Sequence, residues 1–85
     1  GAENLAALGE IPRGSGDPSG AIIQATSIFH EGRDHAAQIY DRAGLKGGDS
    51  IQGPAIVTEM DSTSLILPGH VGEVDSLGNI LINPV

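Results

Sequence analysis

The 85-residue chain contains no cysteine and no tryptophan, and Phe29 and Tyr40 are its only two aromatic residues. Without cysteine there is no disulfide framework, no thiolate nucleophile and no cysteine-based zinc site. With so few aromatics, the core must consist of small aliphatic side chains, each of which contributes roughly 1.5–3 kcal/mol when fully buried. We therefore expect one small domain with a thin core, and such domains often depend on a larger neighbour.

Basic residues are also scarce. Arg13, Arg33, Arg42 and Lys46 stand against eleven carboxylates, which gives a formal net charge of -7. The four cations are scattered, so no basic stripe could neutralise phosphates, and we expect no nucleic-acid partner. No apolar run is long enough to cross a bilayer, and no signal-like segment opens the chain. The sequence thus predicts a soluble domain without a membrane partner, with the cytoplasm as its location.

Glycine and proline are plentiful, with 13 and 5 residues. Both are unfavourable inside helices and typical of the turns between short strands. Residues 1–24 contain one short apolar stretch followed by a run rich in Gly, Pro and Ser, which predicts a flexible linker. Residues 25–85 are then the β-domain.

Within residues 25–85, short apolar segments alternate with turn signals. The predicted strands are residues 26–30, 35–40, 51–59, 63–67, 71–75 and 79–82. The turns at residues 31–34 and 76–78 have the spacing of β-hairpins. This pattern predicts an all-β fold, namely a small antiparallel β-barrel or sandwich of about six short strands with a flexible N-terminal segment.

A series of short motifs resembles the C-terminal region of hydantoinase A/oxoprolinase subunits. The motifs, in chain order, are FHEG at 29–32, IYDR at 39–42, LKGGDSIQGPAIV at 45–57, EMDST at 59–63, PG at 68–69, VD at 74–75 and GNILI at 78–82. The resemblance covers about residues 26–83, and the ordered series is more specific than any single motif. Residues 65–67 and His70 depart from the usual pattern, which bears on the substrate branch of the family.

The resemblance implies that the chain belongs to a much larger enzyme. Members of this family include ATP-dependent 5-oxoprolinase, N-methylhydantoinase and acetone carboxylase-type subunits. The implied role is a non-catalytic C-terminal structural domain of an enzyme that opens cyclic amides or carries out a related carboxylation. The resemblance also implies that the parent enzyme binds ATP and a divalent metal. The nucleotide would bind upstream of these residues, in which no glycine-rich phosphate loop occurs. The implied partners are the remainder of the large subunit and a second subunit.

The densest polar cluster in the matched region comprises Glu59, Asp61, Ser62 and Thr63. One interpretation places this segment against the active site of the parent enzyme, where carboxylates and hydroxyls could contact a metal or substrate. The alternative is a strand-connecting turn, because Asp, Ser and Thr bond readily to their own backbone. Turn chemistry alone accounts for these residue types, so we assign no catalytic, cofactor-binding or metal-binding residue to this chain.

Two other functions compete with this interpretation. The net charge of -7 suits an independent acidic β-barrel that binds a basic protein partner. A small metal-dependent enzyme could use His30, Glu31, Asp34 and His35 at the first hairpin, although charged residues are common in solvated turns. His70 stands alone after a Pro-Gly turn and is expected to lie at the surface.

Overall fold

The structure, a computed structural model, describes residue Gly14 and residues 16–85. These residues form seven β-strands and two short 3-10 helices. The strands are β1 (Ile22–His30), β2 (Arg33–Asp41), β3 (Ser50–Gln52), β4 (Ala55–Glu59), β5 (Ser62–Ile66), β6 (His70–Val74) and β7 (Ile80–Pro84); the 3-10 helices are Pro18–Ala21 and Arg42–Gly44. No helix in this part of the chain is long and apolar enough to cross a membrane.

The strands form two open sheets, so the all-β prediction is confirmed, with a two-sheet arrangement instead of a closed barrel. The larger sheet has the order β1-β2-β4-β5 and the smaller one β3-β6-β7. All pairs are antiparallel except β2 and β4, which run parallel. The sequence predicted an antiparallel architecture, and the structure differs from it at this one parallel pair.

The prediction of one strand over residues 51–59 is wrong. The segment forms two strands, β3 and β4, which belong to different sheets. Gly53 and Pro54 lie between them, and Pro54 stands immediately before β4, where its missing N–H removes no ladder hydrogen bond. This change of sheet raises the number of strands from about six to seven.

The first strand begins earlier than the sequence predicts. β1 starts at Ile22 and is preceded by the 3-10 helix Pro18–Ala21, whose N-cap Asp17 accepts a hydrogen bond from the Ser19 N–H. Ala21 is buried against the core. The predicted linker, residues 1–24, lies mostly outside the described residues, and its flexibility stays a prediction.

The core lies between the two sheets and is built from small aliphatic side chains and one tyrosine. Its members are Ala21, Tyr40, Leu45, Ile51, Ala55, Val57, Ile66 and Val74. Ile51 and Ile66 are the largest side chains that are fully buried. Burial, and secondly the negative charge of Asp17, raises the pKa of the Tyr40 phenol. Tyr40 is therefore a neutral core residue and a natural spectroscopic reporter of folding.

The β6–β7 turn is held by the carboxylate of Asp75. One oxygen accepts from the backbone N–H groups of Leu77 and Asn79 at 2.9 and 2.8 Å, and the other accepts from the Asn79 side-chain amide at 3.2 Å. These bonds, the Asn79 backbone N–H first, lower the pKa of Asp75 below its ordinary 3.8. The ionised carboxylate is thus the form that stabilises the turn.

We expect the Asp75 carboxylate to make the free energy of unfolding pH-dependent in the acid range. The pKa of Asp75 is lower in the folded than in the unfolded chain. The stabilisation that Asp75 provides is therefore fully present above the unfolded-state pKa and is lost as the pH falls through the folded-state pKa. Asp75→Asn should flatten the decline in the urea midpoint measured from about pH 6 down to about pH 3. Asp34→Asn, which replaces an exposed carboxylate on β2, is the control and should leave the decline unchanged. Equal curves for wild type and Asp75→Asn would contradict the prediction.

Candidate functional site

The polar segment that the sequence singles out forms the tight β4–β5 turn. Glu59, the last residue of β4, pairs with Ser62, the first residue of β5, and Met60 and Asp61 form the tip. The Ser62 hydroxyl donates to Glu59 Oε1 at 2.9 Å. Met60 is 98 % exposed, so the turn presents a flexible apolar side chain at its tip.

Arg42 joins this turn to the smaller sheet. Its Nη1 donates to Glu59 Oε1 at 3.3 Å, and its Nη2 donates to the backbone carbonyl of Gly78 in the β6–β7 turn. The backbone around Arg42 is fixed because Asp41, the N-cap of the second 3-10 helix, accepts from the Ala43 N–H at 3.0 Å. One guanidinium therefore connects two turns that are far apart in sequence.

A shallow depression of about 580 Å³ lies beside this turn. Its lining residues combine aliphatic and charged side chains: Ile23, Asp41, Arg42, Ala43, Thr58, Glu59 and Met60. The Arg42 and Glu59 side chains are 32 % and 46 % exposed, so their ion pair is largely solvated and contributes modestly to stability. The depression is open to solvent, and Arg42 and Glu59 in its lining are paired with each other. Such a surface suits contact with another surface better than enclosure of a small substrate.

Of the four candidate residues, the structure brings Glu59 and Ser62 together and leaves Asp61 and Thr63 apart from them. Glu59 lines the depression and accepts hydrogen bonds from Arg42 and Ser62. Asp61 lies exposed at the tip, and Thr63, also exposed, pairs with Thr58 on β4. The turn interpretation accounts for the local geometry. Contact of these residues with the active site of a larger enzyme stays a prediction.

The two histidines of the first hairpin do come near each other, with ring centroids 6.1 Å apart. His35 Nε2 donates to the His30 backbone carbonyl across 3.1 Å, and His30 Nε2 is 3.9 Å from Glu31 Oε1. Among the described residues, no group of three or more His, Cys, Asp or Glu side chains is arranged to hold a metal ion. The hairpin therefore presents a hydrogen-bonded histidine pair without a ligand set.

Sequence reasoning missed the roles of Arg42 and Asp49. Asp49 is 3 % exposed; its Oδ2 accepts from the Lys46 N–H at 2.8 Å, and its Oδ1 has no hydrogen-bond partner within the described part of the chain. Arg42 stands in the IYDR motif and Asp49 in the GGDS motif, but neither motif indicates what the side chain contacts. Both residues hold loops together in this domain.

Arg42→Met should lower the free energy of unfolding by about 1–2 kcal/mol, because the charged hydrogen bond to Gly78 disappears while the aliphatic stem stays. Glu59→Gln should cost less than about 1 kcal/mol, since an exposed ion pair contributes little. Urea unfolding followed by far-UV circular dichroism measures both. If Glu59→Gln proved as harmful as Arg42→Met, the ion pair and not the carbonyl bond would be the main link.

Together these features define a small two-sheet β-domain whose polar side chains stabilise its own turns and leave an open, mixed surface beside them. A model of the hydantoinase/oxoprolinase C-terminal domain family matches residues 7–78. The chain belongs to this family.

The fold is also similar to part of a solved structure of acetone carboxylase in its nucleotide-free form, reported for the mechanism of ATP-dependent acetone carboxylation. The TM-score is 0.78 at 22 % identity, and the match covers 89 % of this chain. It covers only 11 % of the acetone carboxylase chain. The described fold therefore corresponds to a small part of that much longer polypeptide.

Proposed function

We propose that this chain is a non-catalytic C-terminal structural domain of an ATP-dependent hydantoinase/oxoprolinase-type enzyme. The parent enzyme would open a cyclic amide or carry out a related carboxylation. The observation that carries the proposal is the family match over residues 7–78, combined with a similar fold that makes up 11 % of a longer carboxylase chain.

In this proposal the chemistry belongs to the rest of the enzyme. ATP and a divalent metal would bind outside this domain, and the partners would be the remainder of the large subunit and a second subunit in the cytoplasm. The domain itself has a thin aliphatic core, so packing on a larger body would add buried apolar surface that its own residues do not provide.

The β4–β5 turn is the proposed point of closest approach to the catalytic body. Glu59 and Ser62 are hydrogen-bonded to each other, and Arg42 holds Glu59 from the other side. Met60 and Asp61 are therefore the residues that project outward from the turn. We expect them to contact the body through packing and hydrogen bonds and to take no part in bond making.

The test compares the isolated 85-residue chain with the full-length enzyme in the presence of ATP, Mg²⁺ and one of three substrates: 5-oxoproline, hydantoin, or acetone with bicarbonate. The full-length enzyme should consume ATP with one of them, and the isolated chain with none. ATP-dependent turnover by the isolated chain would refute the non-catalytic role. A reading frame confined to this domain would instead favour the free-standing acidic binding module.

A substitution at the turn distinguishes a structural role from a chemical one. Asp61→Asn in the full-length enzyme should leave kcat almost unchanged, because an interfacial carboxylate does not act on the reacting atoms. Loss of a general acid or base would lower kcat by about 10²–10⁴-fold. A drop of that size, with the domain still folded by circular dichroism, would place Asp61 in the active site.

A further inference from the structure

The side of the larger sheet that faces away from the core carries an uninterrupted aliphatic row. Strand register places Ile39 of β2 beside Ile56 of β4, and Ile56 beside Leu65 of β5. Their chain neighbours Tyr40, Val57 and Ile66 belong to the core. Since successive side chains in a strand point to opposite faces, the row lies on the side away from the smaller sheet.

The β1–β2 hairpin extends this surface. β4 pairs only with residues 38–41 of β2, so the hairpin continues beyond the edge of β4. Thr26 pairs with Ala37, and Ile28 pairs with His35, on the same side as Ile39. We call the surface of Ile28, Ile39, Ile56 and Leu65 the outer face. Leu65 is exposed, the other three are partly buried, and the adjacent Ala37 is buried. All four members are aliphatic, and Thr26 and His35 lie on the same side of the hairpin.

The smaller sheet has a mixed composition on the side away from the core. Its ladder places Ser50, Glu73 and Leu81 in one row, and Gln52, Val71 and Asn83 in the next. Ile51 and Val74 are core members. Their chain neighbours Ser50, Gln52 and Glu73 therefore lie on the side away from the core. Leu81, 55 % exposed, therefore has the polar Ser50 and Glu73 in its own row and Val71 in the next one, whereas Leu65, 48 % exposed, belongs to a continuous aliphatic row.

We propose that the outer face is the docking surface by which this domain packs on the body of the longer polypeptide. This inference rests on the proposed function for the existence of that body. The similar fold accounts for 11 % of the acetone carboxylase chain, so in such a protein nearly all of the polypeptide is available as the occupant. The continuous aliphatic row on the larger sheet, compared with the mixed surface of the smaller one, indicates which side is covered.

The charges at the margin of the outer face define the chemistry of the occupant. Asp41 and Asp61 lie at the end of the larger sheet where β4 turns into β5, whereas Glu59 there is paired with Arg42 on the core side. The matching surface on the body should therefore have an aliphatic centre and basic residues at this margin. A second copy of this chain fits less well, because association would bring together two domains that each carry a net charge of -7.

Hydroxyl-radical footprinting of the full-length enzyme and of the isolated 85-residue chain tests the assignment. Oxidation of Leu65 and Ile56 should be several-fold slower in the full-length enzyme, while oxidation of Leu81 should be the same in both. Far-UV circular dichroism first confirms that the isolated chain is folded. Equal oxidation of Leu65 in the two samples would overturn the proposal. Concentration-dependent dimerisation of the isolated chain through this face would also overturn it, because the occupant would then be a second copy.

A matched pair of variants separates docking from folding. Leu65→Lys and Leu81→Lys should have similar urea midpoints in the isolated chain, because both side chains are about half exposed. In the full-length enzyme only Leu65→Lys should raise the oxidation of Ile56 towards its value in the isolated chain. Unchanged oxidation of Ile56 in full-length Leu65→Lys would argue against docking through this face.

These readouts do not depend on catalysis. Protection of Leu65 in a full-length protein that is inactive on all three substrates would refute the proposed function and leave the docking surface in place. Activity of the full-length enzyme without protection of Leu65 would instead support the proposed function and refute docking through the outer face.

Discussion

Gly53→Ala should lower the free energy of unfolding by more than about 3 kcal/mol, which exceeds the usual cost of overpacking against neighbouring side chains. A Cβ at position 53 would overlap the backbone carbonyl oxygen of Leu67, and it would lie 2.8 Å from the Leu67 carbonyl carbon and 3.0 Å from the Ile66 oxygen. These are backbone atoms, so no side-chain rotation relieves the overlap. A chain of this length typically has about 4–13 kcal/mol of stability, so a large part of it would be lost.

Gly20→Ala is the matched control for this experiment. Gly20 lies in the 3-10 helix Pro18–Ala21, and a Cβ there would meet no atom within 4 Å. Removal of glycine flexibility from the unfolded chain should make this variant neutral or more stable by about 0.4–1 kcal/mol. Urea unfolding, followed by far-UV circular dichroism and by Tyr40 fluorescence, measures both variants. A Gly53→Ala protein with a near-normal midpoint would contradict the close backbone approach.

The change of sheet at Gly53 also explains where prediction from the sequence failed. Outside residues 51–59, the local pattern located the strands to within a few residues, because the aliphatic runs and the Gly/Pro turns carry that information. It predicted one strand over residues 51–59, since nothing local shows that β3 pairs with β6 while β4 pairs with β2 and β5. Strand partners are chosen by contacts that are distant in sequence.

The same limit applies to the candidate site. The turn at Glu59–Ser62 follows from its residue types, and the sequence favoured the turn interpretation. Arg42 joins it to the rest of the domain through partners 17 and 36 positions away, Glu59 and Gly78.

The outer face similarly combines Ile39, Ile56 and Leu65 from three strands, of which β2 and β4 are paired in parallel. Alternation within each strand indicates that one face is apolar, but only the register shows that three such faces form one surface.

The second large effect is expected in the core. Ile66 has no exposed surface, and it belongs to the cluster that joins the two sheets. Ile66→Ala should cost about 2–5 kcal/mol, because lost burial is added to the cavity that remains. Phe29→Ala, at a position 71 % exposed, should change the urea midpoint little although more atoms are removed. Similar losses in the two variants would show that the core lies elsewhere.

Gly72 supplies an internal test of how Ile66 is packed. A Cβ at Gly72 would lie 2.7 Å from Ile66 Cδ1 and 3.1 Å from Ile80 Cγ2. Gly72→Ala alone should therefore cost about 1–3 kcal/mol through overpacking, and Ile66→Val alone about 0.5–1.5 kcal/mol through the loss of one methyl group. Because valine lacks the Cδ1 atom, Ile66→Val/Gly72→Ala should be less destabilised than the two single losses combined. The double-mutant cycle should give a favourable coupling of at least about 0.5 kcal/mol. Simple additivity would show that Ile66 Cδ1 does not occupy the space above Gly72, and the contact between the sheets would then need a different description.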